Sequence, residues 1–93
     1  MIVRTVMERK LTEALAPTRL TIIDDSDRHI GHAGHHPEGE SHFRMEVVSA
    51  AFVGKSRVAR QRLVYEALAT ELRDRVHALS LTAVLTPEED AQG

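Results

Sequence analysis

The chain contains no cysteine and no tryptophan, and its aromatic side chains are limited to two Phe and one Tyr. The lack of cysteine excludes disulfide bonds, a thiolate nucleophile and any metal site that draws sulfur ligands from this chain alone. With so few aromatic residues, the core has to be built from Leu, Val, Ile, Met and Ala. Ninety-three residues, of which 42% are apolar, suffice for one small domain.

Long apolar runs and a strong charge of one sign are also missing. No run approaches the roughly 20 residues of a membrane span, and the N-terminus lacks the apolar core of a signal peptide, so the sequence predicts a cytoplasmic protein. The formal net charge is −2, so the chain as a whole does not attract nucleic acid, and such binding would need a local basic patch. No nucleophile–base pair or cofactor fingerprint is visible, and we expect no enzymatic activity.

Apolar periodicity predicts two long helices and three strands. The first helix ends before Pro17, and a capping box formed by Thr5 and Glu8 favours a start near residue 6. Ser56 is the candidate N-cap of the second helix. Strands are predicted at 19–25, 41–49 and 76–85, and the second helix at 56–74. The domain should span residues 1–88 and be followed by a flexible tail at 89–93. The polar segment that contains this tail begins at Thr86 and is expected to be irregular.

The order of these elements, α-β-β-α-β, predicts the fold class. A strand–helix–strand crossover makes the second and third strands parallel, and the first strand should pair antiparallel to the second. The expected fold is an α+β sandwich of the type II K-homology-like arrangement, a three-stranded mixed sheet with helices on one face. In its third strand we expect Leu79, Leu81 and Leu85 to share a face with His77.

The second strand shows a clear alternation of apolar and polar residues. Phe43, Met45 and Val47 should face one side of the sheet. The polar side chains between them should face the other side: His42, Arg44 and Glu46.

The segment "HIGHAGHH" at 29–36 holds four of the six histidines. It is internal and interrupted by small residues, unlike a purification tag. His29 and His32 are three residues apart, a spacing that places two imidazoles near one metal if the chain turns at Gly31. We expect His35 and His36 to be solvated or to bind Zn²⁺ or Ni²⁺ weakly. A long connection of this composition in a small domain is usually functional or mobile, and we expect mobility.

Four short motifs in order carry a family resemblance: Ser41-His42-Phe43, Phe52-x-Gly54-Lys55-Ser56, Arg60-x-Arg62-x-Val64-Tyr65 and Val76-His77-Ala78-Leu79. From about Leu11 to Glu88 the chain resembles the BolA family, and its histidine-rich segment resembles the family's longer, histidine-type loop. One position departs from the pattern, because Gln61 stands where such chains commonly carry the histidine of Arg-His-Arg.

The resemblance implies a non-enzymatic partner of a monothiol glutaredoxin, active in iron–sulfur trafficking or iron sensing. In such a heterodimer a 2Fe–2S cluster is shared with the glutaredoxin cysteine, the thiol of glutathione and histidine from the BolA-like chain. The ligand implied here is His77, together with His29 or His32. For His42 we expect a hydrogen bond that shapes the exit of the loop rather than ligation. Without the cluster, the chain is expected to be a monomer or a weak homodimer.

Some BolA family members are linked to transcription through DNA binding, which leaves a second hypothesis open. Its candidate residues are basic and lie in or before the second helix. The competing interpretation is an ordinary solvated helix face, and the chain lacks the Gly-x-x-Gly loop with which true K-homology domains hold nucleic acid. A metal-binding chaperone that uses the loop alone is a third hypothesis. The basic candidates are Lys55, Arg57, Arg60 and Arg62.

Overall fold

The structure, a computed structural model, describes residues 3–25 and 42–92. The histidine-rich segment, with the expected ligands His29 and His32 and the expected mobility, lies outside the described residues. None of the helices in the described ranges is long and apolar enough to cross a bilayer. The elements are α1 (Val3–Leu15), β1 (Arg19–Asp24), β2 (His42–Val48), a 3₁₀ helix (Ala50–Phe52), α2 (Arg57–Ala67), α3 (Ala69–Asp74), β3 (Ala78–Leu85) and α4 (Pro87–Gln92).

The three strands form one mixed sheet with β2 in the centre. β1 pairs antiparallel to β2, with Ile22 opposite Met45, and β3 pairs parallel to β2, with His42 opposite Ala78. Both directions were predicted from the order of the elements, and the α+β class with a mixed sheet is confirmed.

The core lies between one face of this sheet and the helices. On β2, Phe43, Met45 and Val47 are at most 2% exposed, as the alternation of that strand predicted. The buried residues of α1 recur every four positions and join the same cluster. Both phenylalanines are buried, and the rest of the cluster consists of Val, Leu and Met: Val3, Met7, Leu11, Leu15, Met45, Val47, Val64, Leu68, Val76, Leu81 and Val84.

Two predicted helix boundaries are wrong. Helix α1 already includes Val3, which is buried, so Thr5 and Glu8 lie inside the helix and do not cap it. The second helix was predicted to run unbroken from 56 to 74 but is interrupted at Leu68, whose N–H is shared between the carbonyls of Val64 and Tyr65. Periodicity could not reveal this break, because the apolar spacing continues through the irregular turn.

The end of the chain also differs from the expected irregular segment, because Pro87–Gln92 form helix α4. Thr86 and Glu89 make a capping box: Thr86 N–H donates to Glu89 Oε1 (2.8 Å), and Glu89 N–H donates to Thr86 Oγ1 (3.2 Å). Pro87 occupies the first helical position, where proline is favoured. The sequence Thr-Pro-x-Glu is a signal for the start of a helix. The prediction of an irregular tail followed the polar composition of the segment instead.

A register shift in β3 corrects the predicted face of Leu85. Leu81 lies opposite Met45, but Ala83 lies opposite Glu46, so Thr82 is an extra residue in the strand. Its hydroxyl donates to the Met45 carbonyl at 3.2 Å. Beyond this bulge Val84 occupies the core face at 1% exposure, and Leu85 lies on the opposite face.

Candidate functional site

His77 lies immediately before β3, at the end of the sheet where β2 also begins. The preceding residue, Val76, is 5% exposed, and its N–H donates to the Glu71 carbonyl at 2.7 Å. The following residue, Ala78, pairs with His42 in the sheet. The backbone of His77 is therefore held on both sides, whereas its side chain is exposed to solvent. An exposed imidazole on a fixed backbone is suited to binding a metal that a partner presents.

The imidazole of His42 packs against that of His77. The ring centroids are 5.1 Å apart and the ring planes are inclined by 50°. Although His42 belongs to the alternation set expected to face solvent, it is only 7% exposed. Sequence reasoning did not find this contact, because it depends on the register between two parallel strands that are far apart in the chain.

A cavity of about 310 Å³ lies beside His42 at this end of the sheet. It is lined by Asp25, His42, Phe43, Arg44, Ala78, Leu79 and Ser80. The Asp25 carboxylate is paired with Arg44, whose Nε donates to Asp25 Oδ2 at 2.5 Å. Within 3–25 and 42–92, no group of three or more His, Asp or Glu side chains is arranged to hold a metal ion.

The described residues that flank the 26–41 segment lie at this site. Asp25 and His42 are the last and first described residues on either side of it, and Asp25 N–H donates to the His42 carbonyl at 2.7 Å. Asp25 and His42 are therefore hydrogen-bonded neighbours, and the His42 ring contacts that of His77. His29 and His32 themselves lie outside the described residues.

The basic candidates lie elsewhere and are not equivalent. Arg60 is largely buried, at 13% exposure: its guanidinium donates to the carbonyl of Val84 (3.0 Å) and to Glu89 Oε1 (2.6 Å). Arg57 makes a longer contact with the Leu81 carbonyl at 3.4 Å. Two of the four basic side chains thus satisfy carbonyl groups of β3. Lys55 and Arg62 are exposed.

The pair between Arg60 and Glu89 also fixes the charge state of the acid. The hydrogen bond from Arg60, together with that from the Thr86 N–H, lowers the pKa of Glu89 to about 2. Arg19 likewise lowers the pKa of Asp90, through a hydrogen bond of 2.7 Å. Helix α4 is thus joined by two ion pairs, one to Arg60 of α2 and one to Arg19 of β1. At roughly 3.3 Å per residue, Val84 lies about 23 Å along the strand from His77, so the two candidate surfaces are separate.

Comparisons with known proteins agree on the family. The family model described as BolA-like protein matches residues 11–89. The chain is 44% identical over 84 residues to the UV-induced protein uvi31 of Schizosaccharomyces pombe, covering 87% of this chain and 82% of that one. It is 42% identical over 81 residues to the DNA-binding transcriptional regulator BolA of Escherichia coli, covering 87% and 73%.

A solved structure gives the same result. The BolA domain of SufE1 from Arabidopsis thaliana superimposes with a TM-score of 0.78 at 45% sequence identity. The match covers 91% of this chain and 92% of that domain. The sheet order and the strand directions described above are therefore shared with an experimentally determined fold of this family.

Proposed function

The chain belongs to the BolA-like protein family, and from that premise we propose that it is a non-enzymatic partner of a monothiol glutaredoxin. In the proposed heterodimer, His77 binds one iron of a 2Fe–2S cluster that is also held by the glutaredoxin cysteine and by glutathione. A histidine of the 29–36 segment, His29 or His32, supplies the further ligand from this chain. The pair would act in iron–sulfur trafficking or iron sensing in the cytoplasm.

The observation that carries this proposal is the exposed imidazole of His77 on a backbone fixed by Val76 and Ala78. Imidazole is an established ligand of 2Fe–2S iron, and as a neutral ligand it lowers the negative charge of the cluster and raises its reduction potential. The chain has no thiolate of its own, so a partner has to supply the sulfur ligands. The donor set of this chain fits a shared cluster better than one held by this chain alone.

The test is reconstitution of the cluster. The chain is mixed anaerobically with a monothiol glutaredoxin, glutathione, iron and sulfide, and visible circular dichroism is recorded. We expect a spectrum that neither protein gives alone, and we expect His77→Ala to abolish or strongly alter it. A mixture whose spectrum equals that of glutaredoxin alone would contradict the proposal.

DNA binding is a second candidate function, favoured by the similarity to the Escherichia coli relative, which is named a DNA-binding transcriptional regulator. On this chain Lys55 and Arg62 are exposed, and Arg57 is exposed with one 3.4 Å contact to the Leu81 carbonyl, whereas Arg60 is held by Glu89 and by the Val84 carbonyl. Phosphate contacts release counterions, so affinity for DNA should fall steeply as salt rises. Replacing Lys55 and Arg62 together by Ala should flatten this dependence. Affinity and salt slope that survive the double change would rule out this surface.

A further inference from the structure

We infer that His42 is a positioning residue that holds the imidazole of His77 in the orientation needed to bind a metal. The inference deepens the proposed function, and its consequence for cluster binding rests on that function. His42 and His77 are 35 positions apart in sequence, and the start of the sheet brings their rings together at a centroid distance of 5.1 Å.

The first step concerns His42, whose ring has little freedom to move. It begins β2 opposite Ala78, and its carbonyl accepts the Asp25 N–H at 2.7 Å. With the residue 7% exposed, its side chain is enclosed by neighbouring atoms. A ring held in this way is a fixed surface against which another side chain can rest.

The second step concerns His77, whose freedom is confined to its side chain. Its neighbour Val76 is anchored in the core and Ala78 is anchored in the sheet. The centroid distance lies within the range preferred by contacting aromatic rings, and the ring planes are inclined by 50°. The His42 ring therefore occupies space that other χ1 rotamers of an exposed His77 would use, and it favours one of them.

The size of the effect follows from the number of rotamers. Three staggered wells are available at χ1 and a broad two-fold torsion at χ2. If only one combination binds metal, freeing both torsions lowers the competent fraction to between about one third and one sixth. The apparent dissociation constant rises by the inverse of that fraction, so loss of positioning should weaken cluster retention roughly three- to sixfold.

The first experiment uses the chain alone and needs no partner. Three-bond couplings across χ1 of His77, measured by nuclear magnetic resonance on isotopically labelled protein, should show one dominant rotamer, with nuclear Overhauser contacts between the two rings. His42→Val, which suits a strand but is too short to reach His77, should average the couplings. His42→Phe keeps a ring of similar size and should preserve them. Thr21→Val on β1, away from His77, is the matched control and should change nothing.

Two results of this experiment would overturn the inference. The first is averaged couplings or an absence of ring contacts in the unsubstituted protein, a measurement that does not depend on any variant folding. The second is a folded His42→Val variant in which His77 keeps its rotamer. Thermal unfolding followed by far-ultraviolet circular dichroism establishes that each variant is folded before the couplings are compared.

The second experiment measures cluster retention in the heterodimer. Release of the cluster to a chelator should be roughly three- to sixfold faster with His42→Val than with the unsubstituted chain, and close to normal with His42→Phe. If His42 were instead a direct ligand, His42→Phe would fail as badly as His42→Val, which would contradict a positioning role. If the unsubstituted pair forms no cluster, the proposed function fails while the coupling measurements on the free chain still decide the role of His42.

Discussion

Folded neighbours on both sides fix the position of His77. We therefore predict that His77→Ala abolishes or strongly alters the visible circular dichroism of the heterodimer. His29→Ala should do less harm, because His32 lies close enough in sequence to replace it, and only the double change should approach the effect of His77→Ala. His35→Ala and His36→Ala serve as controls and should leave the spectrum unchanged. A severe effect of His35→Ala or His36→Ala on the spectrum would contradict this ranking of the histidines as ligands.

Glu89 provides a residue-scale prediction about pH. Its pKa is lowered from 4.5 to about 2 in the folded protein, so between these values the unfolded chain binds a proton that the folded chain does not. The stability that ionised Glu89 contributes is therefore complete above about pH 4.5 and is lost as pH falls towards 2. Glu89→Gln should lower the melting temperature at pH 6 and make little difference near pH 2. If the melting temperatures of Glu89→Gln and the unsubstituted protein differ equally at pH 6 and at pH 2, the lowered pKa of Glu89 is contradicted.

At the scale of elements, α4 depends on its capping box because six residues are too few for a helix that is stable alone. Thr86→Ala removes the acceptor of the Glu89 N–H and should destabilise the helix by about 1 kcal/mol. This corresponds to roughly fivefold faster hydrogen exchange at the amides of Glu89 and Asp90. Thr86→Ser retains the hydroxyl and should behave as the original residue. Equal exchange rates in the Ala and Ser variants would show that the hydroxyl does not hold α4.

The contact between α1 and α3 gives a second prediction at this scale. Lys10 Nζ donates to Glu71 Oε2 at 2.7 Å, and Glu71 Oε1 is buried without a hydrogen-bond partner in the described part of the chain. Lys10→Met leaves a buried carboxylate without its cation and should lower the free energy of unfolding by about 1–3 kcal/mol. Adding Glu71→Leu should recover most of this loss in urea unfolding. A double variant that is less stable than Lys10→Met would contradict the attribution of the loss to an unpaired buried carboxylate.

The elements that the sequence predicted well are those whose pattern is local. The alternation of Phe43, Met45 and Val47 and the four-residue spacing of α1 both depend on one buried face, and both are confirmed. The interruption at Leu68 and the bulge at Thr82 were missed because each leaves the apolar composition unchanged. Tertiary packing, rather than local pattern, decides such irregularities.

For the whole molecule, β3 separates the two surfaces that the sequence singled out. His77 lies before its first residue, whereas Arg60 contacts Val84 near its end. The motif around His77 could be identified from sequence, but the contact with His42 and the engagement of Arg60 by Glu89 could not, because both require the register of the sheet and the position of α4. Only the assembled fold distinguishes the exposed Lys55 and Arg62 from the two arginines that contact β3.

Ligation of the shared cluster by His77 is tested most directly by pulsed electron paramagnetic resonance of the reduced heterodimer. With ¹⁵N-histidine incorporated into this chain only, the spectrum should show the hyperfine coupling of an iron-bound imidazole nitrogen. The coupling assigned to His77 should be missing from the His77→Ala heterodimer at matched iron content. Retention of every nitrogen coupling in His77→Ala, or their absence from the original pair, would contradict ligation by His77.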